Sequence, residues 1–411
     1  MPRNRTDATR RLVPDPADPI AAGMASRPVE YPAIHTDGRV TFRLDAPEAA
    51  AVTLRNTTGG LASAAWPEGE SVAMTKDGAG VWTVTIGPVP PEFYTYAFFV
   101  DGLNVLDPEN PLVTRDGPGY RSRLEIPGER TANYAYREVP HGTLSRIYVP
   151  YPSLGIEKRT LVYTPPGYEH SDESFPVLYL QHGGGGDEEA WTELGRVPEI
   201  MDNLIAQGLA RPMIVVMSNI YFDQVAARDY IPVVPAPGIP PDPLIFPKAL
   251  VADLVPHVEA TYRARADPAY RAVAGLSRGG IMSFAAAFDN IDMFDWVGTF
   301  AAAWSLMPGL GRDIPPPPDA DDLRGPEIGR GVDRERMAAD YPAIGPEANE
   351  TLRLLYVGVG EKDGLISAHR DVRDLLRTKG VEFECLELPG FGHEWPYWRV
   401  AFQDFVRRIF R

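Results

Sequence analysis

The feature that most constrains the fold is a serine flanked by glycines, placed between a short apolar run and a helix-like segment. Residues 275–280 read Gly-Leu-Ser-Arg-Gly-Gly; the apolar residues 272–274 precede them, and residues 281–288, which contain no glycine or proline, follow. Where a strand turns directly into a helix, the two backbones lie very close together. A side chain at Gly275 or Gly279 would collide with the backbone of this turn. The pattern therefore predicts a buried strand, a tight turn that exposes Ser277, and a helix.

A serine hydroxyl is a weak nucleophile at neutral pH, so chemistry at Ser277 requires a base. The chain has only seven histidines. One of them, His393, lies in a glycine-flanked loop between the strand-like residues 381–388 and the amphipathic residues 395–409. We predict that His393, on the loop after the last strand, is the general base.

An acid that orients this histidine is expected after another strand. Residues 352–360 read as a buried strand and end in an acidic, glycine-containing turn. Asp363 in that turn is the predicted acid, and Glu361 is the alternative, because one step of register decides which carboxylate faces the imidazole. The resulting chain order, Ser277 then Asp363 then His393, is the order found in α/β-hydrolases.

A run of four glycines predicts where an oxyanion would be held. Residues 183–186 are all glycine and follow the short apolar strand 176–180. Backbone amides can point at a developing oxyanion only where no side chain blocks the approach. The predicted donors are the amides of Gly184 and Arg278.

The patterning divides the chain into four parts. Residues 1–37 form an amino-terminal extension, and residues 38–127 show short alternating strands separated by turn signals, as in an immunoglobulin-like β-sandwich. Residues 128–140 are a predicted linker. In residues 141–411 strands alternate with helical runs, which predicts an α/β domain with a mostly parallel sheet and helices on both faces.

Two insertions in the larger domain are rich in proline. Residues 222–247 and 306–346 are too rich in proline to be helix or inner strand, which predicts loops throughout. Long loops in such folds pass over the carboxyl ends of the strands. We expect both insertions to be walls or a lid of the substrate cleft.

Four aromatic residues lie just past predicted strand ends, on the side of the serine. Aromatic walls suit a flat ring or a sugar face, so these residues favour an aryl or glycosyl ester over a small polar substrate. The predicted substrate contacts are Trp191, Tyr221, Trp304 and Trp395.

The amino-acid composition limits the kinds of partner that the protein can bind. The formal charge of −16 and a pI near 5.0 argue against a nucleic-acid or anionic-membrane surface. No apolar run approaches the roughly 18 residues that span a bilayer, no metal-ligand cluster stands out and no cofactor is required.

Cys385, the one cysteine, lies in an apolar strand and is predicted to be buried. No secretory signal is evident, so we expect a cytoplasmic protein, unless a signal has been removed.

These motifs together resemble the esterase D/enterochelin esterase superfamily, and within it the feruloyl and acetyl-xylan esterases of the first carbohydrate esterase family. The likeness covers residues 141–411 and implies an acyl-enzyme mechanism on Ser277. Arg278 stands where the family usually has methionine, so a cation beside the cleft is expected to favour an acidic or polar acyl group. The motifs are His182-Gly-Gly-Gly-Gly with Trp191, Asp253-Leu254 with Pro256, residues 275–280, residues 360–364 and Gly392-His-Glu-Trp.

The amino-terminal part has a likeness of its own. Residues 80–87, 94–102 and 106–111 resemble the early-set, glycogen-binding-like immunoglobulin modules that precede many such esterases. The resemblance implies a module that either binds carbohydrate or packs against the hydrolase and shapes its cleft. Trp82 is accordingly either a sugar platform or a core residue.

The function that the sequence favours is a serine carboxylic-ester hydrolase acting on aryl or carbohydrate-linked esters. Three alternatives stay open: a siderophore esterase with the same catalytic residues, a non-catalytic carbohydrate-binding protein, and a transferase that passes the acyl group to another alcohol. The oligomeric state is not indicated by the sequence.

Overall fold

A computed structural model describes the chain in two regions that share an interface. The amino-terminal region contains two antiparallel sheets, and the region from residue 143 onward is built on one eight-stranded sheet. The described residues are 30–58, 66, 69–117, 119–222, 244–313 and 330–411. Most of the predicted amino-terminal extension therefore lies outside the described residues.

The two amino-terminal sheets pack against a common core. Their inward side chains alternate along the strands, so that Val40, Phe42 and Leu44 are buried while their neighbours are not. One sheet has the order β1-β2-β6-β5, and the other has the order β4-β3-β7-β10-β9 with β8 paired to β7. The strands are β1 (Ala33–Ile34), β2 (Val40–Asp45), β3 (Val52–Asn56), β4 (Ser71–Ala73), β5 (Thr75–Lys76), β6 (Val81–Ile86), β7 (Phe93–Val100), β8 (Leu103–Val105), β9 (Val113–Asp116) and β10 (Gly119–Glu125).

Trp82 belongs to this core, where its Nε1 donates a hydrogen bond of 2.9 Å to the carbonyl oxygen of Ala46. Of its two predicted roles, the structure thus gives it the core role. The likeness to a glycogen-binding module stays a prediction.

The large sheet has the order β11-β12-β14-β13-β15-β16-β19-β20. The first three strands pair antiparallel and the remaining strands pair parallel. The strands are β11 (Thr143–Tyr151), β12 (Ile156–Thr164), β13 (Val177–Gln181), β14 (Ile214–Ser218), β15 (Arg271–Leu276), β16 (Trp296–Phe300), a separate antiparallel pair β17 (Gly311–Asp313) and β18 (Arg330–Val332), then β19 (Leu354–Gly360) and β20 (Glu384–Leu388).

Helices cover both faces of this sheet. The α-helices are α1 (Ala190–Glu193), α2 (Val197–Ala206), α3 (Ile245–Ala249), α4 (Val255–Thr261), α5 (Arg278–Phe288), α6 (Arg334–Asp340), α7 (Ala348–Thr351), α8 (Ile366–Thr378) and α9 (Trp395–Val406). A π-helical turn (Leu250–Leu254) joins α3 to α4, and short 3₁₀ turns lie at Tyr168–His170, Pro268–Tyr270 and Trp304–Leu306.

The central strand β15 shows how the two faces are covered. All six of its residues are buried; Val273 packs in a cluster with α5 and α8, while Ala272 and Ala274 pack in a second cluster with α2 and α9. A strand buried on both faces is typical of a parallel sheet between helical layers. The predicted fold class, a mostly parallel sheet with helices on both faces, is confirmed.

The proline-rich insertions are only partly described, because residues 223–243 and 314–329 lie outside the described residues. In the described parts, the prediction of loops throughout is wrong. Helix α3 tolerates Pro247 because a proline in the first turn of a helix costs no hydrogen bond. Helix α6 contains no proline and is capped by Asp333, the residue before it, whose side chain accepts a hydrogen bond from the amide of Arg336.

The prediction that Cys385 is buried is also wrong. Cys385 is exposed, because its strand β20 lies at the edge of the sheet. Its Sγ lies 2.7 Å from a guanidinium nitrogen of Arg373 on α8.

Candidate active site

Ser277 occupies the turn between β15 and α5 in a strained backbone conformation. Its φ is 50° and its ψ is −118°, a region that residues with a side chain rarely adopt. Backbone hydrogen bonds hold it there: its amide donates to Phe300 at 2.9 Å, and its carbonyl accepts from Gly280 and Ala303 at 3.0 Å and from Ile281 at 3.4 Å. The end of β16 and the start of α5 therefore fix the serine from two sides.

The glycines around Ser277 are required by close packing. A Cβ on Gly275 would lie 2.5 Å from the carbonyl carbon and oxygen of Gly279. A Cβ on Gly279 would overlap the carbonyl oxygen of His182, which follows the neighbouring strand β13. These close approaches bring the start of α5 against the glycine run, next to the serine.

The structure brings Ser277, His393 and Asp363 together. His393 Nε2 lies 3.0 Å from Ser277 Oγ, and His393 Nδ1 lies 2.9 Å from Asp363 Oδ2. A carboxylate can only accept, so Nδ1 carries the hydrogen and Nε2 is free to accept from the hydroxyl. Asp363 is fully buried, and its other oxygen accepts from the amide of Leu365 at 2.9 Å.

Glu361, the alternative acid, lies elsewhere. It is exposed, and its amide donates to the carbonyl of Leu388 on β20. The contact with the imidazole is made by Asp363.

Two neighbours that the sequence analysis did not assign support the His393 loop. The Trp398 ring packs edge-on against the imidazole, with ring centres 5.0 Å apart. Glu394 is buried and accepts a hydrogen bond of 3.0 Å from the amide of Gly392; burial raises the pKa of its carboxyl group. Trp398 lies in the first turn of α9, five residues after His393, which itself lies outside the helix, so helical spacing does not predict their contact.

The glycine run lies beside the serine. A Cβ on Gly183 would lie 3.1 Å from Ser277 Cβ. Within the described residues, the amides of Gly184 and Arg278 have no hydrogen-bond acceptor. Both amides are therefore available to an incoming oxygen.

His182 anchors the start of this run. Its Nδ1 lies 2.8 Å from the carbonyl oxygen of Gly183, and its Nε2 accepts a hydrogen bond from the amide of Ile220 at 3.1 Å. Burial lowers the pKa of His182 to about 4. The ring is therefore neutral at neutral pH and connects the glycine run to the end of β14.

Tyr221 and Arg278 line the site next to the glycine run. A Cβ on Gly184 would lie 3.8 Å from the Tyr221 hydroxyl oxygen, and the Arg278 guanidinium lies 5.4 Å from the centre of the Tyr221 ring. Among the described residues, Arg278 has no carboxylate partner. Of the four predicted aromatic contacts, Tyr221 is thus the one that lies against the glycine run and the Arg278 side chain.

Trp191 and Trp304 are core residues, which corrects their predicted role as substrate contacts. Their exposed fractions are 1% and 0%, so neither offers a ring face to a ligand. Trp191 Nε1 donates to the carbonyl of Gln181 at 2.9 Å, and Trp304 Nε1 donates to His369 Nδ1 at 3.3 Å. Trp395 is 9% exposed and packs edge-on against Trp191.

The described ranges contain no group of three or more His, Cys, Asp or Glu side chains placed to hold a metal ion. No helix in them is both long and apolar enough to cross a membrane.

The sequence matches known esterases. Residues 152–409 match the model of the Esterase family. Over 399 residues the chain is 29% identical to an endo-1,4-beta-xylanase/feruloyl esterase of Xylanibacter ruminicola, an alignment that covers 93% of this chain and 46% of the relative. An esterase of Mycobacterium tuberculosis is 29% identical over 271 residues, or 59% of this chain and 53% of the relative. The chain thus spans about half the length of these curated relatives.

Solved structures agree with the sequence matches. A ferulic acid esterase is 25% identical, with a TM-score of 0.50 over 66% of this chain and 99% of its own. The enterobactin esterase of Shigella flexneri is 18% identical, with a TM-score of 0.59 over 90% of this chain and 92% of its own, a likeness of fold. Because the family model covers more than half of the sequence, the chain belongs to the Esterase family.

Proposed function

We propose that the chain is a serine carboxylic-ester hydrolase. The observation that carries the proposal is the continuous hydrogen-bonded series from buried Asp363 through His393 to Ser277. Its direction leaves Nε2 as the acceptor for the serine proton, which is what a nucleophilic serine requires. Membership of the Esterase family supports the same assignment.

The proposed reaction has two acyl-transfer steps. Ser277 Oγ attacks the ester carbonyl carbon as His393 Nε2 takes the hydroxyl proton, and the amides of Gly184 and Arg278 donate to the resulting oxyanion. The carbonyl re-forms, the alcohol leaves with the proton from His393, and an acyl-enzyme remains. Water, deprotonated by His393, attacks that ester in the second step, and the acid is released as His393 returns the proton to Ser277 Oγ. Asp363 stabilises the transiently charged imidazolium.

The test is the Ser277→Ala variant with p-nitrophenyl acetate. Loss of the nucleophile is expected to lower kcat by at least about 1,000-fold and to leave the thermal unfolding midpoint near that of the wild type. Ser305→Ala is the matched control, since Ser305 is buried and its hydroxyl has no hydrogen-bond partner in the part of the chain that the structure describes. Wild-type turnover in folded Ser277→Ala would reject the proposal.

For the substrate we propose an aryl or carbohydrate-linked ester. The support is the similarity to proteins named feruloyl or ferulic acid esterases, together with the Tyr221 side chain against Gly184 of the glycine run. The expected preference is a higher kcat/KM for methyl ferulate than for a short aliphatic methyl ester. An equal or reversed preference would reject this substrate class and leave the esterase proposal intact.

A second candidate is an anionic ester of the siderophore type, and one residue favours it. Arg278 directly follows Ser277 in the chain, and its guanidinium, 5.4 Å from the centre of the Tyr221 ring, has no carboxylate partner among the described residues. If the natural substrate is anionic, Arg278→Met is expected to lower kcat/KM about tenfold for a catecholate trilactone and to spare methyl ferulate. Equal effects on both substrates would remove the support for this candidate.

A further inference from the structure

A hairpin of the amino-terminal sandwich reaches the glycine run of the candidate active site. Strands β9 and β10 are joined by a short turn that contains Gly117, whose φ is +54°. A Cβ on Gly117 would overlap the carbonyl oxygen of Gly185. The turn therefore lies in direct backbone contact with residues 183–186, which we call the oxyanion loop.

Arg115 on β9 binds the residues that follow this loop. Its side chain is about 5% exposed; it forms an ion pair with Asp187, and its Nε and one terminal nitrogen each lie 3.2 Å from Glu189 Oε2. Another terminal nitrogen donates to the carbonyl of Gly117 at 2.8 Å. One buried guanidinium thus connects the hairpin turn to the segment directly after Gly186.

The carboxylates that Arg115 contacts shape that segment. Asp187 accepts a hydrogen bond from the amide of Glu189 at 3.0 Å, and its carbonyl accepts from Ala190, the first residue of α1, at 3.0 Å. Asp187 and Glu189 are each about 3% exposed. Burial raises the pKa of the Asp187 carboxyl group, and this effect outweighs the lowering of that pKa by Arg115. Glu189 also lies near Arg159 at 3.3 Å and Arg146 at 3.4 Å.

The oxyanion loop is consequently held at both ends. His182 fixes its beginning, and the Asp187 turn fixes its end. The sandwich contacts the loop itself at Gly185 and its end at Asp187 and Glu189. A shift of the loop by about 1 Å would misalign the Gly184 amide, and misplacement of that size can lower a rate 100-fold.

We propose that Arg115 and Gly117 of the amino-terminal sandwich are positioning residues that set the oxyanion loop for transition-state stabilisation. This inference rests on the proposed esterase function. It assigns the sandwich a part in catalysis through contact with the loop, without any contact between the sandwich and the ester. Its signature is a fall in kcat with little change in KM, because the oxyanion exists only in the transition state.

The first test replaces Arg115 in the full chain. With p-nitrophenyl acetate, Arg115→Met is expected to lower kcat about 10- to 100-fold and to change KM less than about threefold. The inhibition constant of phenylboronic acid should rise in parallel with the fall in kcat. Addition of Ser277 Oγ to boron gives a tetrahedral anionic adduct whose oxygen stands for the oxyanion. Arg115→Lys, which keeps the charge, should recover part of both losses.

The second test uses a pair of glycines. Gly117→Ala adds a methyl group at the contact with Gly185 and should lower kcat with the same signature. Gly102→Ala is the matched control: Gly102 also lies in a turn of the sandwich with positive φ (+87°), but a Cβ there meets no described residue within 4 Å. Backbone strain is present in both variants, so a difference between them reports the contact.

The outcomes separate this inference from the proposed function. Wild-type esterase activity that Ser277→Ala abolishes supports the function, whatever Arg115 does. Wild-type kcat in Arg115→Met and Gly117→Ala would overturn the positioning role, and so would a fall in kcat without a matching rise in the phenylboronic acid constant. If Arg115→Met does not fold, Arg115→Lys and Gly117→Ala decide the question by the same measurements.

Discussion

At the scale of single residues, the hydrogen bond between His393 Nδ1 and Asp363 makes Asp363 the carboxylate that orients the base. In Asp363→Asn, the amide oxygen would still accept from Leu365, which turns the amide nitrogen toward His393 Nδ1. Nδ1 would then have to accept, the proton would move to Nε2, and the ring could no longer take the serine proton. We expect kcat to fall by about 10,000-fold.

Steady-state kinetics with p-nitrophenyl acetate measure this loss, and the second acid of the same turn supplies the control. Glu361 is exposed and contacts β20 through its backbone. Glu361→Gln should keep wild-type kcat. A large loss in Glu361→Gln with a small loss in Asp363→Asn would reverse the assignment.

The residues of this site differ in how far the sequence could predict them. Ser277, Asp363 and His393 each follow a strand end in a glycine-containing turn, so the pattern indicates both their place and their side of the sheet. Trp191 and Trp304 also follow strand ends, and the same reasoning fails for them. Their direction depends on packing against Trp395 and His369, which are distant in sequence.

At the scale of elements, helix α8 is held to the turn after β16 by a buried histidine. His369 Nε2 donates to the carbonyl of Ala302 at 3.0 Å, and Nδ1 accepts from Trp304. Burial is the main cause that lowers the pKa of His369 to about 3; Asp363 opposes this effect, while Arg373 and His393 add to it. The ring is therefore neutral in the folded protein and titrates near 6.5 in the unfolded chain.

This difference predicts a loss of stability in acid. Below about pH 6.5 the unfolded state binds a proton that folded His369 does not, so the free energy of unfolding falls as the pH falls toward 3. Between pH 7.5 and pH 5 the contribution is about 2 kcal/mol. His369→Gln keeps a donor and an acceptor but does not titrate, so its loss over this range should be smaller by that amount.

Urea unfolding at the two pH values measures the effect. His170→Gln is the control, because His170 is exposed, and it should lose as much stability in acid as the wild type. Equal losses in wild type and His369→Gln would show that His369 does not contribute to the acid sensitivity.

Elements were predictable where local pattern and burial agree. Helix α8 is such an element, because its apolar residues recur on one face and no proline interrupts them. Many prolines lie near α3, and this composition predicts a loop there. A helix nevertheless forms, because a single proline in its first turn costs no hydrogen bond. Cys385 shows a third case: an apolar strand does not reveal whether it lies at the centre or the edge of a sheet.

At the scale of the whole molecule, the contacts between the two regions could not be predicted from the sequence. Arg115 and Asp187 are 72 positions apart, and neither lies in a recognisable motif. Long-range ion pairs of this kind depend on how two independently patterned regions meet. The interface also includes Phe93 and Tyr134, which pack into the core cluster that contains α9.

A second buried ion pair joins the two regions near the helix that follows His393. Glu92, which precedes β7, lies 2.9 Å from a guanidinium nitrogen of Arg399 on α9, and their side chains are 3% and 1% exposed. The Tyr134 hydroxyl donates to the same carboxylate oxygen. Removal of one charge from such a pair leaves the other buried without compensation.

We therefore expect the sandwich and the large sheet to unfold together. The wild type should show one calorimetric transition, and Glu92→Gln should lower the free energy of unfolding by about 3 kcal/mol, measured in urea. Asp37→Asn, which removes an exposed ion pair with Arg39 in the same sandwich, should leave the unfolding midpoint unchanged. Two separate transitions in the wild type, or equal midpoints for Glu92→Gln and Asp37→Asn, would mean that the buried pair does not couple the regions. The sandwich could then open independently, and its hold on the oxyanion loop would depend on Arg115 and Gly117 alone.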